Sequence, residues 1–173
     1  MKNPRLRRNS TDGFTLIEMI IVIIMISVLF TIALPSWVSF LNNRRVGSAR
    51  DEILQTLRQT QAEAVRTRRA KTVSFNTVDT ASPPQITGFE GQPTPLGKGK
   101  FTAGMIGLQI TPAAATSITF RSTGALSNLA NPGDLPVTIT VSAPANGNSR
   151  SCVIIETLLG SMRSVNRGDP GCS

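Results

Sequence analysis

An apolar segment near the N-terminus constrains the fold of this chain more than any other feature. Between Gly13 and Pro35 lie 21 residues, of which only Glu18 is charged. As a helix they would extend about 31 Å, which matches a bilayer hydrocarbon core of about 30 Å. In a secretory signal peptide the small residue follows the apolar region, whereas here Gly13 precedes it. The sequence therefore predicts a membrane-spanning helix over residues 14–35.

Charge predicts the orientation of this segment and limits the chemistry of the rest. The basic residues before it are Lys2, Arg5, Arg7 and Arg8. Such a cluster favours the cytoplasmic side, although Arg44, Arg45 and Arg50 on the far side weaken the asymmetry. The chain contains neither His nor Tyr, and His is the commonest general base and metal ligand. We therefore expect a single-pass protein without enzymatic activity, metal or cofactor.

Glu18 requires a partner if it lies in the bilayer. A carboxylate at that depth costs on the order of 2.5–3.5 kcal/mol even on insertion scales. Cleavage between Gly13 and Phe14 would create an α-ammonium group four residues away, on the same helical face. Glu18 of one subunit would then pair with that amine of a neighbour and set the axial register of the two helices. The alternative is a glutamate near the interface that reaches water and has no role.

The segment resembles a known processing signal. "GFTLIE", followed by an apolar helix and Pro35, is similar to the class III signal of type IV pilins and type II secretion pseudopilins. The resemblance implies that prepilin peptidase cuts after Gly13 and N-methylates Phe14, and that Glu18 serves assembly with other pilins or pseudopilins. It also implies an inner-membrane protein with its N-terminus in the cytoplasm and its head in the periplasm. Pro35 lacks a backbone donor and is predicted to kink the helix.

The remaining chain predicts an amphipathic helix followed by short strands. Val46, Ala49, Ile53, Leu57, Gln61 and Ala64 recur at helical spacing, and all of them except Gln61 are apolar, which indicates one buried helix face. β-Branched segments separated by Gly, Pro, Asn and Ser predict strands at 71–75, 107–111, 117–120, 135–141 and 152–157. Residues 76–100 contain four prolines and four glycines and predict a long surface loop with a short hairpin near 86–89.

These elements predict an α+β fold in which a long N-terminal helix, first transmembrane and then amphipathic, packs on an antiparallel β-sheet head. The expected organisation is a cytoplasmic leader at 1–13, the membrane helix at 14–35, an amphipathic stalk at 36–70 and a periplasmic head at 71–173. Within the head, "ITFRSTGAL" and "CVIIETLLGSMR" resemble the GspH/FimT type of minor pseudopilin.

The only two cysteines are Cys152 and Cys172. Both fall in the part expected on the oxidising side of the membrane, which favours a disulfide between them. The alternative is two free thiols. A zinc site is disfavoured because the chain offers no His and no further Cys.

Basic residues in the head raise the question of DNA binding. Arg66, Arg68, Arg69 and Lys71 cluster where the helix should end, and cations there complement the helix dipole. Some FimT-like proteins resemble this chain and bind DNA through a terminal Gly-Arg-x-Arg element, which here reads Gly160-Ser161-Met162-Arg163. The candidate DNA contacts are Arg163, Arg167 and Arg150.

The sequence thus favours a non-enzymatic minor pseudopilin, an assembly subunit of a type II secretion pseudopilus or a type IV pilus, with membrane lipid, other pilins and prepilin peptidase as partners. Its main alternative is a DNA-binding minor pilin for natural transformation. A single-pass anchored enzyme is a more remote alternative.

Overall fold

The structure, a computed structural model, describes residues 13–77, 82–113, 115–127 and 132–172. The chain divides into two compact units, the first ending at Val38 and the second beginning at Ser39. Helix α1, Leu16–Thr67, contributes residues to both units. Its helical assignment continues through position 35, and the kink at Pro35 stays a prediction. The leader expected at 1–13 lies outside the described residues except for Gly13.

The second unit contains eight described strands in two antiparallel sheets. The strands are β1 Lys71–Asn76, β2 Gln85–Thr87, β3 Pro93–Pro95, β4 Gly107–Thr111, β5 Ser117–Phe120, β6 Val137–Ala143, β7 Ser149–Ile155 and β8 Met162–Asn166, with a 3-10 turn at Pro132–Asp134. The first sheet has the order β3-β2-β1-β5 and the second the order β4-β6-β7-β8. The predicted α+β class is confirmed, with two four-stranded sheets in place of one undivided sheet.

Alternating side chains explain why both sheets pack against α1. Val73 and Phe75 of β1 are buried, whereas Thr72 is exposed and Ser74 is half-buried, as expected for a strand with one face on the core. In the second sheet, Val153 and Ile139 face each other across β7 and β6 and are fully buried. Residues of α1 and of both sheets form one hydrophobic core.

The buried face of α1 follows the predicted stripe. Val46, Ala49, Ile53, Leu57 and Ala64 are each at most 1% exposed. Their spacing of three, four and seven residues places them along one face of the helix. The stripe prediction is confirmed at these five positions, and Gln61 in the same stripe is half-buried and hydrogen-bonded.

The prediction of a long surface loop at 76–100 was wrong in part. β2 and β3 form a hairpin at the edge of the first sheet, and Ile86 and Leu96 are at most 1% exposed in the core. The carboxylate of Glu52 on α1 accepts a hydrogen bond from the backbone N–H of Gly97 at 2.7 Å. The hairpin is therefore held to α1 by apolar burial and by one charge-assisted hydrogen bond. Residues 78–81 of the predicted loop lie outside the described residues.

Candidate functional site

The peptide bond between Gly13 and Phe14 lies outside regular secondary structure. Gly13, Phe14 and Thr15 precede α1 and are exposed, with Phe14 at 79%. A methyl group added to Gly13 would meet no atom within 4 Å, and its backbone is outside the left-handed region. Neither packing nor backbone conformation in this chain therefore requires glycine at position 13.

Helix α1 begins with a capping interaction that the sequence reading missed. The Thr15 hydroxyl accepts a hydrogen bond from the backbone N–H of Glu18 at 3.3 Å. Thr15 therefore occupies the N-cap and Glu18 the third helical position, the T-x-x-E spacing of a capping box. The signal was present in "TLIE", and it gives Glu18 a local role, because acidic residues in the first turn complement the helix dipole.

The Glu18 side chain is exposed within an apolar surface. Across the residues that the structure describes, no hydrogen bond or ion pair to its carboxylate is found. Its neighbours along α1, Ile17 and Met19, are themselves 62% and 56% exposed. The carboxylate is thus available to a group from outside this chain.

The N-terminal part of α1 is long and apolar enough to span a membrane. Large apolar side chains from Leu16 to Ile32 are 43–78% exposed. Two hydroxyl groups in this stretch bond within the helix: Ser27 donates to the Ile23 carbonyl at 2.7 Å, and Thr31 to the Ser27 carbonyl at 2.8 Å. In a lipid environment, polar groups must form their hydrogen bonds within the protein, because no water is present to bond them.

The disulfide between Cys152 and Cys172 is present in the structure, with a Cα–Cα distance of 5.6 Å. Along β7, Val153 and Ile155 face the main core, whereas Cys152 and Ile154 face the other side of the sheet. There the disulfide and Ile154 form a small buried cluster with Val165 of β8. The disulfide therefore ties the segment after β8 back to the second sheet.

The structure separates the three candidate DNA contacts. Arg163 on β8 forms an ion pair with Glu156 and donates from Nη2 to the Pro170 carbonyl at 3.2 Å. Its guanidinium is thus already engaged by a carboxylate of the same chain. Arg150 and Arg167 lie together in a different place.

Arg150 and Arg167 line a polar cavity together with Arg50 of α1, which the sequence reading did not include. We call this cavity the arginine pocket; it has a volume of about 590 Å³. Asn166 also lines it and accepts a hydrogen bond from Arg50 Nη1 at 2.7 Å. The sequence could not indicate this grouping, because Arg50 is more than 90 positions from either of the others.

Gln61 joins α1 to two turns of the head. Its side-chain amide lies 2.9 Å from the Gly124 carbonyl and 3.3 Å from the Gly160 carbonyl, and donates to both. Both glycines have positive φ angles, 82° and 80°. A polar residue in an otherwise apolar stripe was the available sequence signal for this contact.

One ion pair near the end of α1 changes the pKa of both partners. The hydrogen bond from Arg66 lowers the pKa of Glu63 below its ordinary value, and the same bond raises the pKa of Arg66. Arg66 Nη2 lies 2.8 Å from Glu63 Oε1.

No group of three or more His, Cys, Asp or Glu able to hold a metal ion occurs in the described part of the chain.

Comparisons with known proteins agree with this architecture. Residues 8–34 match the family model of the prokaryotic N-terminal methylation motif. A crystal structure of the type IV minor pilin FimU of Pseudomonas aeruginosa, strain PAO1, in space group P21, aligns with a TM-score of 0.50 and 18% identity over 75% of this chain and 93% of that chain. A second FimU crystal structure, in space group P65, aligns with a TM-score of 0.46 and 18% identity over 68% and 90%. No curated protein matches the chain by sequence.

Two of these similarities concern different parts of the chain. The chain carries a prepilin-type methylation motif at its N-terminus, and the P21 alignment assigns its fold to that of a minor pilin. The chain thus combines an N-terminal methylation motif with a pilin-like fold.

Proposed function

We propose that this protein is a non-enzymatic minor pilin or pseudopilin, a structural subunit of a type IV pilus or a type II secretion filament. The observation that carries the proposal is the methylation motif at residues 8–34, whose Gly13–Phe14 bond lies exposed outside α1. A solved minor pilin of similar fold supports the same function. The subunit would be anchored in the inner membrane, with its N-terminus in the cytoplasm and its head in the periplasm.

Processing is the first step of this function. Prepilin peptidase would hydrolyse the Gly13–Phe14 bond, and the α-amine released at Phe14 would be methylated. Because neither packing nor backbone conformation requires glycine at position 13, a requirement for glycine there would come from the peptidase. Residues 14–173 would keep α1 and its apolar surface.

Assembly is the second step. The Glu18 carboxylate is exposed on an apolar helix and has no partner among the described residues of its own chain. A charge in lipid is costly unless it is paired, and the nearest new cation after cleavage is the amine of Phe14. The Glu18 carboxylate of one subunit would pair with the Phe14 amine of a neighbour and set the helices in register.

Mass spectrometry of the mature protein tests the processing step. We expect a chain that begins with N-methylated Phe14 in cells that contain the peptidase. Gly13→Val should leave residues 1–13 attached, while the matched control Gly133→Val, at another glycine with no atom within 4 Å of an added methyl group, should be processed normally. An intact leader in the wild-type mature protein would contradict the proposal.

A second experiment separates the charge of Glu18 from its capping role. Glu18→Gln keeps a side chain that suits the third position of a capping box but removes the charge. Thr15→Ala removes the cap and keeps the charge. We expect Glu18→Gln and Glu18→Ala to lose co-purification with companion subunits and Thr15→Ala to retain it. Normal co-assembly of Glu18→Gln would show that the ion pair is not required.

The alternative function, a DNA-binding minor pilin, has less support. Arg163, the residue that matches the family element, is engaged by Glu156 and by the Pro170 carbonyl. Arg150 and Arg167 remain candidates as part of the arginine pocket. A mobility-shift titration with the full chain at two salt concentrations tests this alternative, since phosphate contacts weaken steeply with salt. Absence of binding at low salt would remove it.

A further inference from the structure

The arginine pocket combines cations from three separate parts of the second unit. Arg50 comes from α1, Arg150 from β7 and Arg167 from the segment after β8. No acidic residue lines the cavity within the described ranges. Two carboxylates lie just outside the lining. Asp51 accepts hydrogen bonds from Arg50 at 2.8 Å and 3.0 Å, and Asp169 accepts one from the backbone N–H of Asn166 at 3.0 Å. Three cations with two external carboxylates leave a net positive charge that an anionic ligand would offset.

Two of these arginines are held in place before any ligand arrives. The Arg50 side chain is only 17% exposed and donates to Asn166 as well as to Asp51. Arg150 donates from Nε to the Gly147 carbonyl at 3.2 Å. Side chains that are already ordered lose less entropy when a ligand binds. The planar guanidinium group also matches the geometry of phosphate oxygens, so phosphate is the anion that this arrangement fits.

The surroundings of the pocket point to the source of the phosphate. Its α1 wall begins at Ser39, the first residue of the second unit and close in sequence to the apolar segment. The next residue along α1, Phe40, is 48% exposed, and the Arg44 guanidinium lies 5.1 Å from the centre of its ring. Exposed aromatic and apolar side chains beside cations are typical of a membrane surface.

We propose that the arginine pocket binds the phosphate of an anionic phospholipid headgroup. Arg150 and Arg167 hold the phosphate oxygens, and Phe40 contacts the apolar part of the lipid. Arg50, whose guanidinium is bonded to Asp51 and Asn166, adds positive charge to the cavity. The interaction would hold the second unit at the membrane surface. It rests on residues of this unit alone and does not depend on assembly into a filament.

The test uses the purified full chain in a nonionic detergent. The midpoint of thermal unfolding is measured against increasing short-chain phosphatidylglycerol and, separately, short-chain phosphatidylcholine, because a ligand that binds only the folded state raises the midpoint. We expect a saturating increase with phosphatidylglycerol and none with phosphatidylcholine, whose headgroup carries a compensating cation. No increase with phosphatidylglycerol would overturn the proposal.

Charge-reversal variants locate the site. Arg167→Glu should weaken the apparent affinity for phosphatidylglycerol at least about tenfold, which is the value of one charged hydrogen bond. The matched control Arg121→Glu reverses an exposed charge outside the pocket and should keep the wild-type affinity. Asn43→Asp, at an exposed lining residue, provides a second variant if Arg167→Glu does not fold. Equal loss in the control would overturn the proposal.

Two further ligands distinguish the sources of phosphate. Inorganic phosphate that raises the midpoint as much as phosphatidylglycerol at equal concentration would mean a free-anion site and would overturn the lipid assignment. A single-stranded oligonucleotide that binds more tightly than phosphatidylglycerol, and loses affinity in Arg167→Glu only, would assign the pocket to nucleic acid instead. Weak or absent responses to both, with a response to phosphatidylglycerol, would support the proposal.

Discussion

The two units of this protein use apolar side chains in opposite ways. In the first unit, Leu16 and Ile32 are 78% and 74% exposed, and the large apolar residues between them are at least 43% exposed. In the second unit, Ile53 and Leu57 are fully buried. All four residues belong to α1, so the difference does not come from the type of secondary structure.

The difference shows what the spacing of apolar residues decides. Where they occur at nearly every position, as in residues 16–34, a helix is apolar all round and must be covered by lipid or by other helices. Where they recur every three or four residues, as in residues 46–64, one face is covered by the sheets of the same chain. The second unit should therefore depend on its own packing, and the first on its environment.

Removing a core side chain should give the largest effect. Leu57→Ala deletes buried methyl groups and leaves a cavity, which should lower the free energy of unfolding by about 3–4 kcal/mol. The matched control Ile32→Ala, on the exposed surface of the first unit, should change it by less than about 0.5 kcal/mol. Urea unfolding of the full chain in nonionic detergent, followed by circular dichroism, measures both. Equal effects would contradict the contrast between the two units.

Loss of the disulfide should have the next largest effect. Cys152 and Cys172 are 20 positions apart, and a loop of that size predicts a stabilisation of about 3 kcal/mol from the restricted unfolded chain. A reductant should lower the free energy of unfolding of the wild-type protein by that amount, and the unfolding midpoint should fall with it. The double variant Cys152→Ala/Cys172→Ala should have the lower midpoint already and should not respond to the reductant; a response would indicate a different cause.

Substitution of Gly160 tests the contact made by Gln61. An added methyl group at Gly160 would lie 2.5 Å from Gln61 Nε2 and 2.9 Å from the Gly124 carbonyl oxygen. Together with the strain of a positive φ, this predicts a loss of about 2 kcal/mol for Gly160→Ala. Gly168 also has a positive φ but no atom within 4 Å of the added group, so Gly168→Ala should lose about 1 kcal/mol. If urea unfolding gives Gly160→Ala and Gly168→Ala the same loss of unfolding free energy, the Gln61 side chain moves aside without destabilising the fold.

The Glu63–Arg66 pair should give the smallest effect, visible as a dependence on pH. The folded pKa of Glu63 is lowered by its hydrogen bond to Arg66, so the pair stabilises the fold above the unfolded pKa of about 4.3. This contribution is lost as the pH falls through the lower folded pKa. Between about pH 5 and pH 3 the wild-type protein should lose more stability than Glu63→Gln. Arg66→Gln should flatten the profile equally, because the bond needs both partners.

Much of the fold could be predicted from local pattern. The apolar run at residues 16–34 is continuous, and the α1 stripe and strands such as Gly107–Thr111 and Ser117–Phe120 have clear periodicities. β8 was missed because "MRSVN" is mostly polar, and it forms a strand only through pairing with β7. The β2–β3 hairpin was obscured by prolines, although Pro93 and Pro95 occupy the edge strand of their sheet, where the ladder tolerates a missing donor.

The candidate sites differ in the same way. Gly13, Phe14 and Glu18 are close in sequence, so their relation could be predicted without a structure. The arginine pocket joins residues from α1, β7 and the end of β8, and no local pattern relates them. The motif position of Arg163 predicts a DNA contact, but its engagement by Glu156 depends on how the chain turns between β7 and β8.

By itself, the sequence determined which parts of α1 present apolar side chains all round and which present one apolar face, because helical periodicity is a local property. It also determined the N-terminal methylation motif and the pair of cysteines. Only the tertiary structure decided that the strands form two sheets, that Gln61 holds two turns, and that three distant arginines share one pocket. These features arise from contacts between residues far apart in the chain, whose pairing depends on the packing of the whole unit.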